Sequence, residues 1–490
     1  ILSKHDIHKI TLKEEGVSFR TESDTEVLLA LYIKHGSSFL QFVNGFFALA
    51  IYDSKEKTVF IARDRMGVKP LLYYKNSDVL FFASEMKALL AMGIPRSLNK
   101  QALYQYLQLN YIPPSESMIT GVEKLSPGSF LFINLTEQSI KEEKYYHLPE
   151  PKEYKKLNYN NAVQHFHHLL DEAVQRRLVS DVPLGAFLSG GLDSSVIVAL
   201  AARHVKSFNT FSIGFKDDAH FDETSFASLV ADKFKTNHHV FKLQSDDMLQ
   251  CITDVLDYID EPFADSSALN VYILSRETRK HVTVALSGDG ADEMFGGYRK
   301  HRAEWIIRNR KVYSAMISSA STVLSGREGS RHSKKGNRYR QLHRFAEGYK
   351  LSRGDRYWQW CSITGSHKAA SLIKDFKHAA DEVKSAITSS ITSDFNSVLR
   401  ADMNLVLTGD MLVKVDQMSM ANSLEVRNPF LDYEVVNYAF SLPSDYKINS
   451  KEQKKIVRDA FRNELPEELF TRSKQGFEIP LLRWLKTSLH

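Results

Sequence analysis

The first hundred residues contain short apolar stretches that are separated by turn residues. Asp, Asn, Gly and Pro punctuate them, a pattern typical of antiparallel strands. One earlier segment, residues 25–34, repeats apolar residues at helical spacing and is predicted to be a helix. We predict strands at residues 46–51, 59–62, 71–74 and 79–83.

A different pattern begins near residue 160. From there to Leu178 an apolar stripe recurs at i, i+3, i+4 and i+7, which predicts a helix with Asn161 as its N-cap. Apolar strands then alternate with helical stretches, which indicates a parallel sheet with crossover helices. The predicted strands are residues 184–188, 210–215, 239–243 and 282–286. A helix is expected over 194–202, and the chain after Met294 is expected to be mostly helical.

The length of 490 residues is too great for one compact core. A stretch with several prolines, residues 95–151, is expected to join two domains. We predict a first domain at 1–95, a connecting region packed with it at 96–155, and a second domain at 156–490. The expected fold class therefore combines α+β and α/β architecture.

The composition is that of an ordinary globular protein, with 43% hydrophobic and 25% charged residues. The net charge of +5 suits small anionic ligands as well as nucleic acid. The basic segment 327–344 is interpreted as a solvated face, because aromatic residues are sparse within it. Cys251 and Cys361 form no Cys-x-x-Cys pair, and no apolar run approaches the ~20 residues of a membrane span. We expect a cytoplasmic protein with neither nucleic-acid nor membrane partners.

The strongest candidate for a functional site is Ser-Gly-Gly-Leu-Asp-Ser-Ser at residues 189–195, between a predicted strand and a predicted helix. Glycines let backbone N–H groups close around an anion, and the helix N-terminus adds partial positive charge. No Gly-Lys-Ser/Thr closes the loop, so it is not a Walker A loop. A loop that holds pyrophosphate as a leaving group suits attack at the α-phosphorus of ATP and hence adenylation of a carboxylate. The alternative is a glycine-rich turn without a ligand. The predicted ATP ligands of this loop are Ser189, Gly190, Gly191, Asp193, Ser194 and Ser195.

A second loop, Ser-Gly-Asp-Gly-Ala-Asp-Glu at residues 287–293, also follows a predicted strand. Ligands of open α/β sheets bind beyond the carboxyl ends of the strands, so both loops are expected to face one crevice. Asp193 and Asp292 are predicted to hold Mg²⁺ on the triphosphate, and Asp289 to orient the acyl substrate. Helix N-capping is the alternative for Asp289 and Glu293.

Three carboxylates lie close together beside a proline, at Asp260, Glu261 and Asp265. Carboxylates are costly to bury without partners, so on its own this segment is interpreted as a solvated turn.

These motifs together resemble the glutamine-dependent asparagine synthetases. The resemblance extends over nearly the whole chain in the expected order. In the second half it rests on Leu-Val-Lys-Val-Asp at 412–416, Glu-Val-Arg at 425–427, Pro-Phe-Leu-Asp at 429–432 and Arg-Ser-Lys-Gln-Gly-Phe at 472–477. In the first half it rests on Asn-Gly-Phe-Phe-Ala at 44–48, the arginine-rich motif at 63–71 and Ala-Ser-Glu-Met-Lys-Ala at 83–88.

The resemblance implies a chemistry and a set of residue roles. It implies an N-terminal glutaminase domain of the Ntn-hydrolase type and a synthetase domain of the adenine-nucleotide α-hydrolase type. Aspartate and MgATP would give β-aspartyl-AMP and pyrophosphate, and ammonia from glutamine would give asparagine and AMP. By motif, Leu188 and Ile213 would contact adenosine, and Ser287 and Gly288 would line the nucleotide site. Asp289 would serve the aspartyl-AMP step. Lys474 would stabilise negative charge as ammonia attacks, with a surface lysine as the alternative. A homodimer is a further expectation.

The N-terminal half departs from the family pattern. The family's glutaminase uses an N-terminal cysteine as nucleophile, and this chain has no cysteine before Cys251. We expect that the sequence, which begins at Ile1 and ends abruptly at His490, is part of a longer one. As given it is expected to make asparagine from ammonia but not from glutamine. Asp24 matches the aspartate that binds the amino group of glutamine, and it could also cap the helix that follows.

Two other functions remain open. A relative could close a β-lactam or peptide ring with an internal amine, although Asp24 and the 63–71 motif favour an ammonia source. A non-catalytic scaffold, or an enzyme that amidates a sugar or envelope carboxylate, is the second alternative.

Overall fold

The computed structural model describes residues 2–3, 5–150, 153–154, 158–215, 223–323, 334–376 and 381–471. An antiparallel N-terminal part is followed by a part built on a parallel sheet. This arrangement confirms the predicted combination of α+β and α/β architecture.

Antiparallel strands dominate the N-terminal part. The strands are β1 (Leu2–Ser3), β2 (Asn44–Gly45), β3 (Ala48–Asp53), β4 (Thr58–Arg63), β5 (Leu72–Lys75), β6 (Leu80–Ala83), β7 (Val122–Lys124), β8 (Ser129–Asn134) and β9 (Ser139–Lys144). The helices are α1 (His5–Glu14), α2 (Asp24–His35), α3 (Met86–Ala91) and α4 (Lys100–Leu109), with a 3₁₀ turn at Gly36–Gln41. The prediction for 46–51 was wrong by two residues, whereas the other three strands and the helix are confirmed to within one residue at each end.

The larger antiparallel sheet has the order β3–β4–β8–β9, and a smaller one has the order β6–β5–β7. In the first sheet Phe60 of β4 faces Phe132 of β8, and the two central strands supply buried residues to the core. A third, two-stranded sheet pairs β1 with β2. Strands β7, β8 and β9 lie within the predicted connecting region at 96–155, so that region contributes to the two larger N-terminal sheets. The domain limits at residues 95 and 155 stay predictions.

Five parallel strands form the sheet of the second part, in the order β12–β11–β10–β13–β14. They are β10 (Leu184–Phe187), β11 (Asn209–Phe215), β12 (Asn237–Leu243), β13 (Val284–Leu286) and β14 (Glu425–Arg427). The four predicted strands are confirmed to within two residues. The described chain after Met294 is mostly helical, as expected. The prediction did not include β14, which joins the sheet beside β13 although 138 residues separate Leu286 from Glu425.

Helices cover the sheet and make up most of the remainder. Before β13 they are α5 (Tyr159–Leu178), α6 (Leu192–His204), α7 (Thr224–Phe234), α8 (Ser245–Tyr258) and α9 (Ala268–Arg279). After β13 they are α10 (Ala291–Phe295), α11 (Arg299–Asn309), α12 (Lys311–Val323), α13 (Lys334–Tyr349), α14 (Arg353–Cys361), α15 (Ser366–Ser371), α16 (Glu382–Ser389), α17 (Asn396–Asp402), α18 (Leu412–Met420), α19 (Tyr433–Ser441), α20 (Lys455–Phe461) and α21 (Glu468–Thr471). A π-helical segment, Met403–Met411, joins α17 to α18, and 3₁₀ turns lie at Pro429–Leu431 and Ser444–Tyr446.

Two helix starts differ from the prediction. The N-cap of α5 is Asn158 rather than Asn161, because the Asn158 side chain accepts the N–H of Asn160. Helix α6 begins at Leu192, two residues earlier than expected. Of the basic segment 327–344, the part from residue 334 onward forms the start of α13.

The loop at 63–71 is built around two buried charged side chains. The Asp64 carboxylate accepts the amides of Met66, Val68 and Lys69 at 2.9–3.1 Å. Arg63 donates to the carbonyls of Gly67 and Lys69, and also to Leu125 O at 2.7 Å. Three amides and two carbonyls of this loop are therefore paired with side chains of the protein.

Replacing Asp64 with Ala removes the acceptor of three buried amides. Since each unsatisfied buried donor costs about 1–3 kcal/mol, we expect the free energy of unfolding to fall by about 3 kcal/mol or more. Chemical denaturation would measure the loss. The matched control is Asn76→Ala, because Asn76 accepts two amides of an exposed turn, where water can replace it. Equal losses in the two variants would contradict the prediction.

Candidate functional site

Two loops that follow neighbouring strands lie in direct contact. The loop at 189–195 follows β10, and the loop at 287–293 follows β13, which pairs with β10. A Cβ atom at Gly288 would lie 2.9 Å from the carbonyl carbon of Asp193 and 2.9 Å from the amide nitrogen of Ser194. Because a larger residue at Gly288 would force the loops apart, glycine is required here for both to form one site.

The first loop turns sharply at Gly190, whose φ is +67°. A Cβ there would lie 2.6 Å from the amide nitrogen of Ala227. The Ser189 hydroxyl is 3.1 Å from that of Ser194 and accepts the amide of Gly191. Ser189 is exposed, whereas Ser194 and Ser195 are buried under the loop. The predicted role of this loop in ATP binding stays a prediction.

Lys454 joins the two loops electrostatically. Its ammonium lies 2.5 Å from Asp193 Oδ2 and 2.6 Å from Asp292 Oδ1. Burial favours the neutral amine, but the two carboxylates outweigh it and raise the pKa of Lys454. A Cβ at Gly297 would lie 2.2 Å from Lys454 Cε, so this lysine also depends on a glycine beside it. Lys454 has a φ of +54°, a conformation that non-glycine residues rarely adopt and that tends to cluster at functional sites.

Sequence reasoning missed Lys454, which lies in the charged stretch 451–455. Nothing in the spacing of that stretch distinguishes this lysine from its neighbours. Only the tertiary structure brings it to loops that lie more than 150 residues away.

The predicted Mg²⁺ ligands, Asp193 and Asp292, are close enough to share one small cation. Their carboxylate oxygens are the ligand type that Mg²⁺ prefers, and Lys454 Nζ lies within 2.6 Å of both side chains. Among the residues that the structure describes, no group of three or more metal-ligating side chains is found. The donor set therefore fits Mg²⁺ only if phosphate oxygens or water complete its coordination.

Asp289 and Glu293 do not cap a helix. The N-cap of α10 is Gly290, which makes no side-chain cap, so the capping alternative was wrong for both carboxylates. Asp289 accepts a 2.6 Å hydrogen bond from the Ser287 hydroxyl, and burial raises its pKa. Glu293 is fully buried, and burial followed by the charge of Asp292 raises its pKa to about 8.

A second lysine acts electrostatically on Asp289. Lys414 Nζ is 2.7 Å from Asp265 Oδ2, and its charge opposes the effect of burial on the pKa of Asp289. Burial and then the charge of Asp265 raise the pKa of Asp410 to about 7. Asp410 belongs to the π-helical segment, a rare conformation that is frequently found at functional sites. Two lysines and several carboxylates thus surround the two loops.

The remaining residues predicted to bind the nucleotide are Leu188, Ile213 and Ser287. Leu188 and Ile213 are buried on adjacent strands, where the Ser212 hydroxyl donates to the carbonyl of Leu188. Ser287 donates its amide to Arg427 O at 2.9 Å, which ties the second loop to β14. Contacts between these residues and adenosine stay predictions.

The carboxylates at 260 and 261 are partnered rather than solvated, so the interpretation as a solvated turn was wrong. Asp260 accepts the amide of Met86 at 2.6 Å, and Glu261 accepts the amide of Met118 at 2.7 Å. Both donors belong to the N-terminal part of the chain, so these carboxylates connect the two parts.

Two predicted site residues lie apart from the loops or outside the described residues. Asp24 is the first residue of α2, and Ser23 is the N-cap of that helix, so the capping alternative for Asp24 was wrong. Asp24 belongs to the N-terminal part, and its contact with glutamine stays a prediction. Lys474 lies outside the described residues.

No helix among the described residues has the length and apolarity needed to cross a membrane.

The asparagine synthase family matches residues 165–490, and a glutamine amidotransferase domain matches residues 4–146. Asparagine synthetase [glutamine-hydrolyzing] 1 of Bacillus subtilis is 32% identical, over 98% of this chain and 74% of that protein. A putative asparagine synthetase [glutamine-hydrolyzing] of Mycobacterium tuberculosis H37Rv is 31% identical, over 96% of this chain and 72% of that protein. A solved glutamine phosphoribosylpyrophosphate amidotransferase of B. subtilis is 15% identical, over 59% of this chain and 53% of that chain, with a TM-score of only 0.21.

Replacing Lys454 with Met leaves Asp193 and Asp292 as facing like charges. Removing one partner of a buried ion pair is strongly destabilising, so we expect the free energy of unfolding to fall by about 3 kcal/mol in Mg²⁺-free buffer. Millimolar Mg²⁺ is expected to recover part of the loss, because a divalent cation can replace the ammonium. Thermal denaturation with and without Mg²⁺ tests both points. The control is Lys280→Met, which removes a surface pair with Glu277. Identical responses of the two variants to Mg²⁺ would argue against a cation site.

The stability of the protein should depend on pH through Glu293. Its folded pKa of about 8 lies above the ordinary value of 4.5, so its contribution to stability is complete below about pH 4.5 and is lost as the pH rises through about 8. Glu293→Gln stays neutral. We therefore expect its free energy of unfolding, relative to the parent, to increase between about pH 5 and about pH 9. Denaturation curves across this range test the trend, with Glu56→Gln in an exposed turn as the control. A flat difference for Glu293→Gln would refute the prediction.

Proposed function

This chain belongs to the asparagine synthase family, and from that premise we propose that it uses ATP to adenylate the side-chain carboxylate of aspartate and then forms asparagine with ammonia. The observation that carries the proposal is the contact between the two loops, with Asp193, Asp292 and Lys454 at their junction. The family match of residues 165–490 supports it.

In the first step a carboxylate oxygen of aspartate attacks the α-phosphorus of ATP. The bond from this phosphorus to the oxygen that bridges to the β-phosphorus breaks, and pyrophosphate leaves. The backbone of Gly190 and Gly191 and the N-terminus of α6 would bind the leaving group through N–H donors. Lys454 would add a positive charge beside it. Mg²⁺ that enters with ATP would be held by Asp193 and Asp292 and would neutralise phosphate charge.

In the second step ammonia attacks the acyl carbon of the adenylate, and AMP leaves with the electrons of the broken C–O bond. Asp289 lies beside the loops and carries a raised pKa, so it is suited to accept a proton from the attacking nitrogen. Lys414, which acts electrostatically on Asp289, would contribute positive charge on the acyl side. Lys474 keeps its predicted role at the developing negative charge.

Glutamine is the proposed source of ammonia. The glutamine amidotransferase match over residues 4–146 supports an N-terminal domain of that kind. Asp24 would bind the amino group of glutamine. Aspartate, glutamine and ATP are thus the proposed substrates. The two alternatives, a ring-closing relative and a non-catalytic scaffold, have no specific observation in their favour.

The proposal predicts aspartate-dependent exchange of radiolabelled pyrophosphate into ATP by this chain, and asparagine formation when ammonium is added. Asp289→Asn is expected to slow asparagine formation about 100-fold or more, the usual size of the loss when a general base is removed from an active site. The matched control is Asp254→Asn, which changes an exposed carboxylate of α8 and should have no effect.

Exchange that other carboxylates support and aspartate does not would assign the chain to a different acyl substrate. Equal rates in Asp289→Asn and Asp254→Asn would remove Asp289 from the mechanism.

A further inference from the structure

Carboxylates at both ends of the loop at residues 259–267, between α8 and α9, form hydrogen bonds and ion pairs with other parts of the chain. At its start, Asp260 accepts the amide of Met86 at 2.6 Å and lies 3.5 Å from the ammonium of Lys87. Met86 begins α3, so this carboxylate lies at the N-terminus of an N-terminal-domain helix, where negative charge is favourable.

Glu261 makes the strongest attachment to the N-terminal domain. Its Oε1 accepts the amide of Met118 at 2.7 Å and the hydroxyl of Ser117 at 3.0 Å, and its Oε2 pairs with Lys124 Nζ at 2.6 Å. The side chains of Lys124 and Glu261 are only 18% and 11% exposed, so water screens this pair weakly. In addition, the amide of Ala264 donates to Asn110 O at 2.8 Å.

The other end of the loop reaches the acyl side of the candidate site. Asp265 lies four residues beyond Glu261, accepts the hydroxyl of Ser267 at 2.9 Å, and pairs with Lys414 at 2.7 Å. Lys414 in turn acts electrostatically on Asp289. A short segment that contains Pro262 therefore links Lys124 of one domain to Lys414 of the other.

Ile259 and Phe263 pack this loop against the hydrophobic core, and hydrogen bonds and ion pairs hold its two ends. A cavity runs along its flank, between residues 260–263 and the Gly409, Leu412 and Val413 side of the helix that carries Lys414. Where the cavity separates the loop from that helix, the ion pairs at the two ends of the loop connect it to Lys124 of the N-terminal domain and to Lys414.

We propose that the 259–267 loop is a positioning element, through which Glu261 and Asp265 make the placement of Lys414 depend on the N-terminal domain. The inference rests on the proposed function, because it assigns Lys414 to the acyl side of that site. It predicts that a change in the N-terminal domain, remote from the ATP loops, alters the use of aspartate and leaves the use of ATP unchanged.

The first test is Lys124→Met in the full chain, with aspartate-dependent ATP–pyrophosphate exchange as the readout. We expect the KM for aspartate to rise about five- to tenfold, with the KM for ATP unchanged and kcat within about twofold. Lys124→Arg, which keeps the charge, should restore most of the affinity. The matched control is Lys141→Met, because Lys141 pairs with Glu143 on exposed β9 and should leave both KM values unchanged.

A double-substitution experiment separates positioning from general damage to the domain. In an Asp265→Ala background the loop has no side-chain acceptor for Lys414, so adding Lys124→Met should cause little further rise in the KM for aspartate. Glu261→Gln should reproduce the effect of Lys124→Met, and the two together should not add. Fully additive effects would overturn the positioning role.

The outcomes distinguish this inference from the proposed function. If the parent chain shows no aspartate-dependent exchange, the proposed function fails. If the parent is active and Lys124→Met has the same KM for aspartate as Lys141→Met, the positioning role fails and the function stands. Should Lys124→Met fail to fold, Ser117→Ala removes the 3.0 Å hydrogen bond to Glu261 together with the 3.2 Å hydrogen bond that the Ser117 hydroxyl accepts from the amide of Ile119. That variant should then shift the KM for aspartate about twofold, and an unchanged value would overturn the inference.

Discussion

Parallel pairing between β10 and β13 brings together the parts of the candidate site. The register sets Leu184 opposite Val284 and Ala186 opposite Leu286, so the two strands end side by side. Parallel strands place their carboxyl ends at one edge, and the loops at 189–195 and 287–293 therefore meet there. The 2.9 Å distance from a Cβ at Gly288 to the first loop shows how little space the pairing leaves. A one-residue slip of β13 would reverse which face each of its side chains occupies and move the second loop away.

That edge of the sheet concentrates negative charge, and the balancing cations come from the last third of the chain. Asp193 and Asp292 share Lys454, while Asp265 pairs with Lys414, which also acts electrostatically on Asp289. A buried carboxylate lowers the stability of the fold unless a cation pairs with it. The C-terminal helices therefore stabilise this edge of the sheet as well as cover it. In the proposed reaction these charges have a second use, since ATP and pyrophosphate bring further negative charge to the same place.

Local patterns predicted much of this architecture, because strands and their glycine-rich loops are encoded by adjacent residues. The loops at 189–195 and 287–293 were recognised for that reason. Lys454 and β14 were not, since each acquires its place only through contacts with residues more than 100 positions away. The segment at 260–265 shows the same limit in another way. Its three carboxylates read locally as a solvated turn. In the structure, Asp260 and Glu261 accept the amides of Met86 and Met118 in a different domain, and Asp265 pairs with the distant Lys414.

The contact between the two domains depends on burial as much as on charge. Lys69 of the 63–71 loop pairs with Asp416 of α18 at 2.8 Å, and the Asn44 amide donates to Asp432 at 3.1 Å. Within the second domain, Arg176 of α5 pairs with the same Asp432 at 2.9 Å. These side chains are at most about a quarter exposed, whereas the surface pair of Lys141 with Glu143 is largely in water. Exposed pairs contribute little because water and salt screen them, while a weakly hydrated pair resists displacement of either partner.

Asp416 lies two residues beyond Lys414 on the same helix, so a displacement of the N-terminal loop at Lys69 reaches the helix that also carries the acyl-side lysine. The 63–71 loop and the 259–267 loop thus hold that helix from two directions, and the placement of Lys414 depends on both.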